Sequence, residues 1–440
     1  MTAPAKTAPE ARYDPRPASA VSTGVGLVGL GGLIAWTCVA RIYGMEGPLA
    51  ALTALLACAV PMILWSLLVD RVHRNPSTGI NWDAPPRPLK ESLDISVAKI
   101  AALWAIWALI GGLYCIARWY WQEPWIFAMR VLGLAAIPML VLSIPYVIWL
   151  DRRLVEPRDG AWHFGQWLIG RPANADPAMV QDFLRAWAVK GFFLAFMISI
   201  VPGNWIETVR PDSAWITENP VNLARWLISV MFMIDVSIAT VGYVLTFRPL
   251  DSHIRSANPY AAGWVAALIC YPPFILMNPG GPLDYHQGTA EWTYWLAGEP
   301  LLMALMGLWL AFLTAIYAWA TVAFGIRFSN LTHRGVLTHG PYAWSKHPAY
   351  LSKNLFWWFA TLPFLATTDN VVDAIRNTAV LGLVSGVYYW RARTEERHLM
   401  ADPAYRDYAA WMERNGPIPR LINRLIPRSL RPNYQPAAAE

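Results

Sequence analysis

The chain has 440 residues, of which 56% are hydrophobic and 15% are charged, with a formal net charge of +6. A soluble domain carries roughly 25% charged residues, so this composition excludes a chain that covers its surface with polar groups. The net charge follows from the placement of basic residues beside a membrane, and it does not predict nucleic-acid binding. The four cysteines fall in or at the end of apolar blocks without a C-x-x-C pair, which predicts small core residues and neither a metal site nor a disulfide framework.

Residues 1–20 are rich in alanine, proline and charge, which predicts a disordered tail. The next apolar block lacks a small-residue cleavage site and is predicted to be a membrane helix, not a cleaved signal. Candidate spans of a ~30 Å hydrocarbon layer are ten in number: 21–41, 48–69, 95–117, 126–150, 186–202, 222–247, 260–277, 299–325, 350–366 and 377–391. The last two form a predicted hairpin that turns around Asp369, Asn370 and Asp373. The composition of the ten candidate spans predicts an all-α polytopic integral membrane bundle of about ten helices, not a β-barrel.

Two features inside the early spans have competing interpretations. Gly24, Gly26 and Gly29 match a dinucleotide-binding pattern, but no strand precedes them, so they are predicted to allow close helix packing. Asp235 lies within the sixth apolar block, where a carboxylate is a functional hypothesis by default. Because the sequence shows no partner for this acid, a hydrogen bond within the bundle is the competing interpretation.

Lysine and arginine collect in alternate loops. With the N-terminus in the cytoplasm, fifteen fall in loops facing inside and four, namely Arg41, Arg118, Arg130 and Arg210, in loops facing outside. This bias predicts that both termini are cytoplasmic. The predicted organisation is a membrane module over 21–298, a catalytic domain over 299–427 and a second disordered tail over 428–440. Residues 151–185 form the longest polar insert and are predicted to be an amphipathic stretch at the cytoplasmic surface.

The chemistry is predicted to lie in two motifs of the last third. The first is a loop, residues 334–350, that leads into the ninth span. Pro348 suits the first turn of a helix, where its missing N–H costs little. In the second motif, Arg391 and Glu395 are four residues apart and share one face of a helix beside the membrane, where unpaired charge is costly. Glu396 points about 100° further round the helix and is predicted to have a structural role.

Together the motifs G-P-Y-A-W-x-x-H-P-x-Y, R-x-x-x-E-E-x-x-L and D-P-x-Y-x-x-Y resemble the isoprenylcysteine carboxyl methyltransferase family, a wider group that includes membrane phospholipid methyltransferases. The resemblance covers roughly 320–425. One departure is Lys346, because the family usually has an arginine before His-Pro, and the lysine keeps the charge without a bidentate fork.

The resemblance implies methyl transfer from S-adenosylmethionine, bound at the cytoplasmic mouth of the last helices. It implies that Glu395 holds the polar end of the cofactor and that Arg391 meets the acceptor. The other implied cofactor contacts are Arg334, Gly335, Val336, Leu337, Tyr342, His347, Pro348, Ala349 and Tyr350. Independently of the family, aromatic rings suit a sulfonium and an adenine, and a carboxylate suits an ammonium. Methyl transfer is an in-line displacement, so positioning and exclusion of water supply most of the catalysis.

Two other functions remain open at this point. The sterol C14-reductase family shares the helical hairpin, the H-P-x-Y turn and about ten spans, and it uses NADPH. Arg334, Lys346 and Arg393 are candidates for the phosphates of that cofactor. A transporter is the third possibility, and its carboxylate would be Asp235. The large module over 21–298 suggests a bulky, lipid-like methyl acceptor drawn from the bilayer.

Overall fold

The computed structural model describes residues 16–425. The predictions of disorder for 1–15 and 428–440 lie outside the described residues. Fifteen α-helices are given for the described range, and the first seven are α1 (Thr23–Tyr43), α2 (Pro48–Leu64), α3 (Leu89–Ala117), α4 (Ile126–Asp151), α5 (Gly160–Leu168), α6 (Pro177–Val209) and α7 (Ser213–Glu218). The other eight are α8 (Pro220–Val244), α9 (Ala261–Leu268), α10 (Trp292–Trp295), α11 (Pro300–Phe324), α12 (Pro348–Thr361), α13 (Val371–Leu399), α14 (Pro403–Asn415) and α15 (Pro417–Leu425).

Eight of these helices are long and apolar enough to cross a membrane: α1, α2, α3, α4, α6, α8, α11 and α13. The predicted polytopic helical bundle is therefore confirmed. Two of the ten candidate spans differ from the prediction. Residues 260–277 contain only the eight-residue helix α9, and residues 350–366 contain α12, which ends at Thr361. At 1.5 Å per residue, the 14-residue α12 is roughly 21 Å long and does not cross ~30 Å by itself.

The segment after α9 returns along α13 as a series of turns. Tyr285 packs in the same cluster as Leu381 and Tyr388 of α13, and Asn377 donates to the carbonyl of Gln287 at 2.7 Å. Non-helical backbone at membrane depth is tolerated where it is covered by protein. The apolar composition of this segment predicted a membrane-spanning helix, and that prediction is wrong, because its prolines and glycines do not allow a continuous helix.

The parallel helices α8 and α11 form the centre of the bundle. At one end Gly307 packs against Ala224, and at the other end Gly242 packs against Phe328, which follows α11. Between them, Asp235 of α8 meets Thr321 of α11. The small residues allow the two backbones to approach closely, as is usual between membrane helices. This pair of helices positions the site described below.

The glycines of α1 have the packing role that the sequence predicts. A side chain at Gly26 would collide with the backbone carbonyl of Val322, and one at Gly29 would collide with Met62. The prediction that the cysteines are core residues is right for two of the four. Cys58 and Cys270 are buried, whereas Cys38 and Cys115 are exposed on the outer faces of their helices.

The loops predicted to share one side of the membrane do share one end of the bundle. Ser77 donates to Asp251 at 2.7 Å, and Arg248 lies 3.6 Å from Asp159. A short antiparallel pair of strands, β1 (Ser256–Ala257) and β2 (Thr332–His333), joins two further loops at this end. The loops at 44–47 and 210–219 meet at the other end. The assignment of the first end to the cytoplasm stays a prediction.

Two segments at this end are more ordered than expected. Within the 151–185 insert, the Asp159 side chain caps α5. Gly165 of α5 packs against the backbone of Ala98 in α3, so α5 is packed closely against a helix of the bundle. Residues 16–20, expected to belong to a disordered tail, lie along the loop before α12. The N–H of Ala20 donates to the carbonyl of Val336 at 2.8 Å, and the Thr338 hydroxyl donates to the carbonyl of Pro17 at 2.7 Å.

Candidate active site

The two sequence motifs meet at the end of the bundle where these loops collect. A 3-10 turn at Gly340–Ala343 leads to α12, which begins at Pro348 as expected. The Asp402 carboxylate caps α14, and this helix packs over the first motif. The Tyr408 hydroxyl of α14 donates to the carbonyl of Tyr342 at 2.8 Å. The D-P-x-Y-x-x-Y sequence therefore fixes the position of the loop that carries the first motif.

A cavity lies between α11, α12, α13 and the loop before α12. It contains about 1250 Å³ of empty space, a figure that includes the open solvent at its mouth. Ten of the eleven predicted site residues line it: Arg334, Gly335, Val336, Leu337, Tyr342, His347, Ala349, Tyr350, Arg391 and Glu395. Pro348 does not line the cavity. It is buried at the first turn of α12, where its role is to start the helix.

Glu395 is at the centre of the cavity wall. Its Oε1 atom accepts a hydrogen bond from the Tyr350 hydroxyl and another from Arg391 Nε at 3.2 Å. Arg391 is 2% exposed, and its Nη2 donates to Asn330 Oδ1 at 2.6 Å. The guanidinium also lies over the rings of Tyr350 and Tyr271, at 5.0 and 5.4 Å from their centroids. These contacts fix both charged groups in one orientation.

The second oxygen of Glu395 is available to a ligand. Within the described part of the chain, no hydrogen bond involves Oε2, and the side chain is 20% exposed toward the cavity. A carboxylate accepts several hydrogen bonds, so this oxygen is suited to an ammonium or a hydroxyl donor. The arrangement provides one oriented acceptor beside a buried guanidinium and several aromatic rings.

Glu396 has a different environment from its neighbour. Its carboxylate lies 3.2 Å from Lys346 Nζ, 3.0 Å from His347 Nε2 and 2.8 Å from Arg393 Nη1. Lys346 and His347 attach the loop before α12 to the end of α13, and Arg393 is a neighbour of Glu396 on the same helix. The structural role expected for Glu396 agrees with this geometry, because the acid holds the loop and does not line the cavity.

Arg334 borders the cavity, but its guanidinium points into protein. Its guanidinium donates hydrogen bonds to backbone carbonyls at distances of 2.7–2.9 Å. The acceptors are Gly242, Leu245, Ser252, Ile326 and Phe328. The neighbouring Gly335 has a φ of +110°, a conformation that favours glycine. Arg334 thus closes the end of α8 and α11, and Gly335 to Leu337 carry the backbone that faces the cavity.

Behind this loop lies an ion pair between Asp251 and Arg327. Asp251 Oδ2 accepts from Arg327 Nη2 at 2.8 Å, from Ser77 at 2.7 Å and from Asn75 at 3.1 Å. Burial by itself raises the pKa of the Asp251 carboxyl, but Arg327 and these hydrogen bonds outweigh it, so the pKa lies below its ordinary value. The carboxylate therefore stays ionised and keeps Arg327 in place.

The inner end of the cavity holds a second polar group of residues. Asp235, which showed no partner in the sequence, accepts hydrogen bonds from the Tyr317 hydroxyl at 2.9 Å and from Thr321. Lys353 of α12 borders the same region, and its ammonium lies 5.3 Å from the centre of the Tyr317 ring. Asp235 itself does not line the cavity, whereas its hydrogen-bond partners Tyr317 and Thr321 do.

Sequence reasoning missed several residues of the site. Tyr388 is three residues before Arg391 on α13, so helical spacing was a signal that pointed to it. Lys353 is one turn beyond Ala349 and carried the same kind of signal. Asn330 and Tyr271 come from separate loops, and no local pattern connects them with Arg391.

The chain is thus a multi-pass membrane protein with a polar cavity at one end of its bundle. Residues 285–412 match the model of a protein family described as a protein of unknown function, DUF1295. This range includes both motifs and Lys353. No curated protein and no solved structure matches the chain.

Proposed function

We propose that the protein is a membrane methyltransferase that uses S-adenosylmethionine and methylates a lipophilic or amphipathic acceptor. The observation that carries this proposal is the constellation of Glu395, Arg391 and Tyr350 in the cavity wall. Two donors hold one oxygen of the cavity-lining Glu395, and no described residue donates to the other oxygen, Oε2.

The residues present fit this cofactor. Glu395 Oε2 is an acceptor for the ammonium of its amino acid end. The rings of Tyr350 and Tyr271 border the cavity and offer π faces to a sulfonium or an adenine. When bound, S-adenosylmethionine supplies an electrophilic methyl group on a sulfonium.

The chain's own residues provide orientation. Arg391 is held by Glu395 and Asn330, so its remaining N–H groups have a fixed direction toward an anionic or polar acceptor. The aromatic walls and the packed helix α14 limit the access of water to this region. Positioning and water exclusion are the contributions that an in-line displacement needs from a protein.

The alternative of an NADPH-dependent reductase requires cations for the phosphates of that cofactor. The three candidates from the sequence are engaged with protein groups. Arg334 donates to backbone carbonyls, Lys346 lies 3.3 Å from Glu413, and Arg393 lies 2.8 Å from Glu396. This engagement disfavours these three residues as ligands of the NADPH phosphates.

The test is calorimetric titration of the detergent-purified protein with S-adenosylmethionine and, separately, with NADPH. The Glu395→Gln variant keeps the size of the side chain and removes its charge. We expect it to bind S-adenosylmethionine about 10- to 100-fold more weakly, because a hydrogen bond to a charged group contributes about 1.5–3 kcal/mol. The matched control is Glu299→Gln, an exposed glutamate next to the start of α11 at the other end of the bundle.

Each outcome has a clear meaning. Binding of S-adenosylmethionine to the wild type and to the Glu299 variant, with weaker binding to the Glu395 variant, supports the proposal. Binding of NADPH alone would assign the protein to the reductases. Binding of neither, together with loss of transport when Asp235 is changed to asparagine, would favour the transporter.

A further inference from the structure

The inner end of the cavity contains a lysine without an anionic partner. Lys353 Nζ lies 5.3, 5.4 and 5.9 Å from the ring centres of Tyr317, Trp357 and Tyr388. Among the described residues, no carboxylate lies within ion-pair distance of this ammonium, and no hydrogen bond reaches it. Three aromatic faces stabilise a cation only partly, at about 0.5–2 kcal/mol each. The lysine therefore keeps its capacity to bind an anion.

The other cations that border the cavity are all engaged. Arg327 pairs with Asp251, Arg334 donates to backbone carbonyls, Lys346 pairs with Glu413, and Arg391 pairs with Glu395. Among the described residues, Lys353 is thus the cation in the cavity that forms no ion pair and can bind an anionic ligand. The nearby Asp235 interacts electrostatically with Lys353, but the two groups form no ion pair within 4 Å, and both oxygens of Asp235 accept hydrogen bonds from Tyr317 and Thr321.

The lysine lies deeper in the bundle than Glu395. The helices α11 and α13 both end at the cavity mouth, and they carry Tyr317 and Tyr388 before those ends. At 1.5 Å per residue, Tyr388 lies roughly 10 Å below Glu395 along α13, and Tyr317 lies roughly 10 Å below Phe324, the last residue of α11. A group bound at Lys353 is therefore separate from a methyl acceptor atom bound at Arg391, the residue proposed to orient the acceptor.

We propose that the inner end of the cavity is an anion-binding subsite, in which Lys353 binds a carboxylate or phosphate of an amphiphilic acceptor. This subsite rests on the proposed function for its role in methyl transfer, and it assigns the acceptor to the acidic amphiphiles. The acid is a recognition group and not the methylated atom. The rings of Tyr317, Trp357 and Tyr388 pack against the apolar part of the molecule next to the acid.

The experiment measures binding of decanoate, decyl phosphate and decanol to the protein in neutral detergent, at concentrations where the probes are monomeric. We expect the wild type to bind at least one of the acids about tenfold or more tightly than decanol. Lys353→Met is expected to lower the affinity for that acid to the level of decanol. Lys353→Arg keeps the charge and is expected to retain the preference, and Lys90→Met, an exposed lysine before the third span, is the control.

The preferred acid distinguishes a carboxylate ligand from a phosphate ligand. A wild type without preference for an acid over decanol would overturn the subsite, even if the methionine variant does not fold. Equal weakening of all three probes in Lys353→Met would also overturn it, because the lysine would then act only through packing. Binding of S-adenosylmethionine is measured separately on the wild type. If it fails while the acid preference depends on Lys353, the subsite stands and the methyltransferase proposal falls.

Discussion

Two groups of charged side chains lie at the same end of the bundle, and they differ in completeness. In the group between α3 and α4, Lys99 Nζ donates to Asp151 at 2.6 Å, to Asp159 at 2.9 Å and to the carbonyl of Pro157 at 3.2 Å. The other oxygen of Asp151 accepts from Ser96 at 2.9 Å. The three ammonium hydrogens thus have three acceptors, and this group is closed.

The group around Glu395 is equally fixed but has an open position. Arg391 and Tyr350 satisfy one oxygen of Glu395, a residue that lines the cavity, and no described residue donates to the second oxygen. The comparison teaches that buried charge by itself does not mark a site. Both groups bury a cation and a carboxylate next to the membrane, and only the group with an unsatisfied oxygen beside a cavity offers a place to a ligand.

A substitution in the closed group around Lys99 should lower the stability more than a substitution of Glu396 or Asp251. Replacing Lys99 with methionine leaves Asp151 buried without its cation, and breaking a buried pair in this way costs about 3–5 kcal/mol. We expect a lower melting temperature in detergent and an unchanged affinity for S-adenosylmethionine in the protein that remains folded. Lys90→Met, near the start of the same helix and exposed, is the matched control. A Lys99 variant that melts like the wild type would show that this group is not structural.

Glu396 sharpens the comparison because it is adjacent to Glu395 and has a closed environment. The Glu396→Gln variant loses charge-assisted contacts with Lys346, His347 and Arg393, so we expect a loss of about 1.5–3 kcal/mol of stability. The Glu395→Gln variant should instead lose cofactor affinity, and it should lower the melting temperature less than Glu396→Gln does, because its amide oxygen still accepts from Tyr350 and Arg391. Thermal melts measure the stability of both variants, and calorimetry measures their affinity for S-adenosylmethionine. Identical behaviour of the two variants would contradict the division of roles.

Much of the fold follows from local sequence. Length and hydropathy located eight helices that span the bundle, and the spacing of Arg391 and Glu395 placed both on the cavity face. The hairpin turn was also located correctly, since Asn370 caps α13 through a hydrogen bond from the N–H of Val372 at 3.0 Å. These features depend on residues within a few turns of one another, which a single sequence displays directly.

The rest depends on contacts between distant segments. Asp235 and Thr321 are 86 residues apart, and they meet because α8 and α11 pack in parallel, which hydropathy does not show. Arg334 was expected at the cofactor on the basis of its position in the first motif. Its guanidinium turns inward instead because α8 and α11 end beside it and present carbonyls that no longer have helical partners.

The smallest effect is expected for Asp251→Asn, because asparagine keeps a side-chain oxygen that can accept from Arg327, and the signature of this effect is a dependence on pH. The pKa of its carboxyl lies below the ordinary value of 3.8 in the folded protein, so the unfolded chain takes up a proton first as the pH falls. The stabilisation is therefore complete above about pH 5, and it is lost as the pH falls below about 4. We expect the Asp251→Asn variant to melt at a lower temperature than the wild type at neutral pH. The difference should shrink in the acid range, measured by melting curves in detergent between pH 7 and 3. A difference that stays constant over this range would mean that Asp251 acts through hydrogen bonds that asparagine cannot replace, and not through its charge on Arg327.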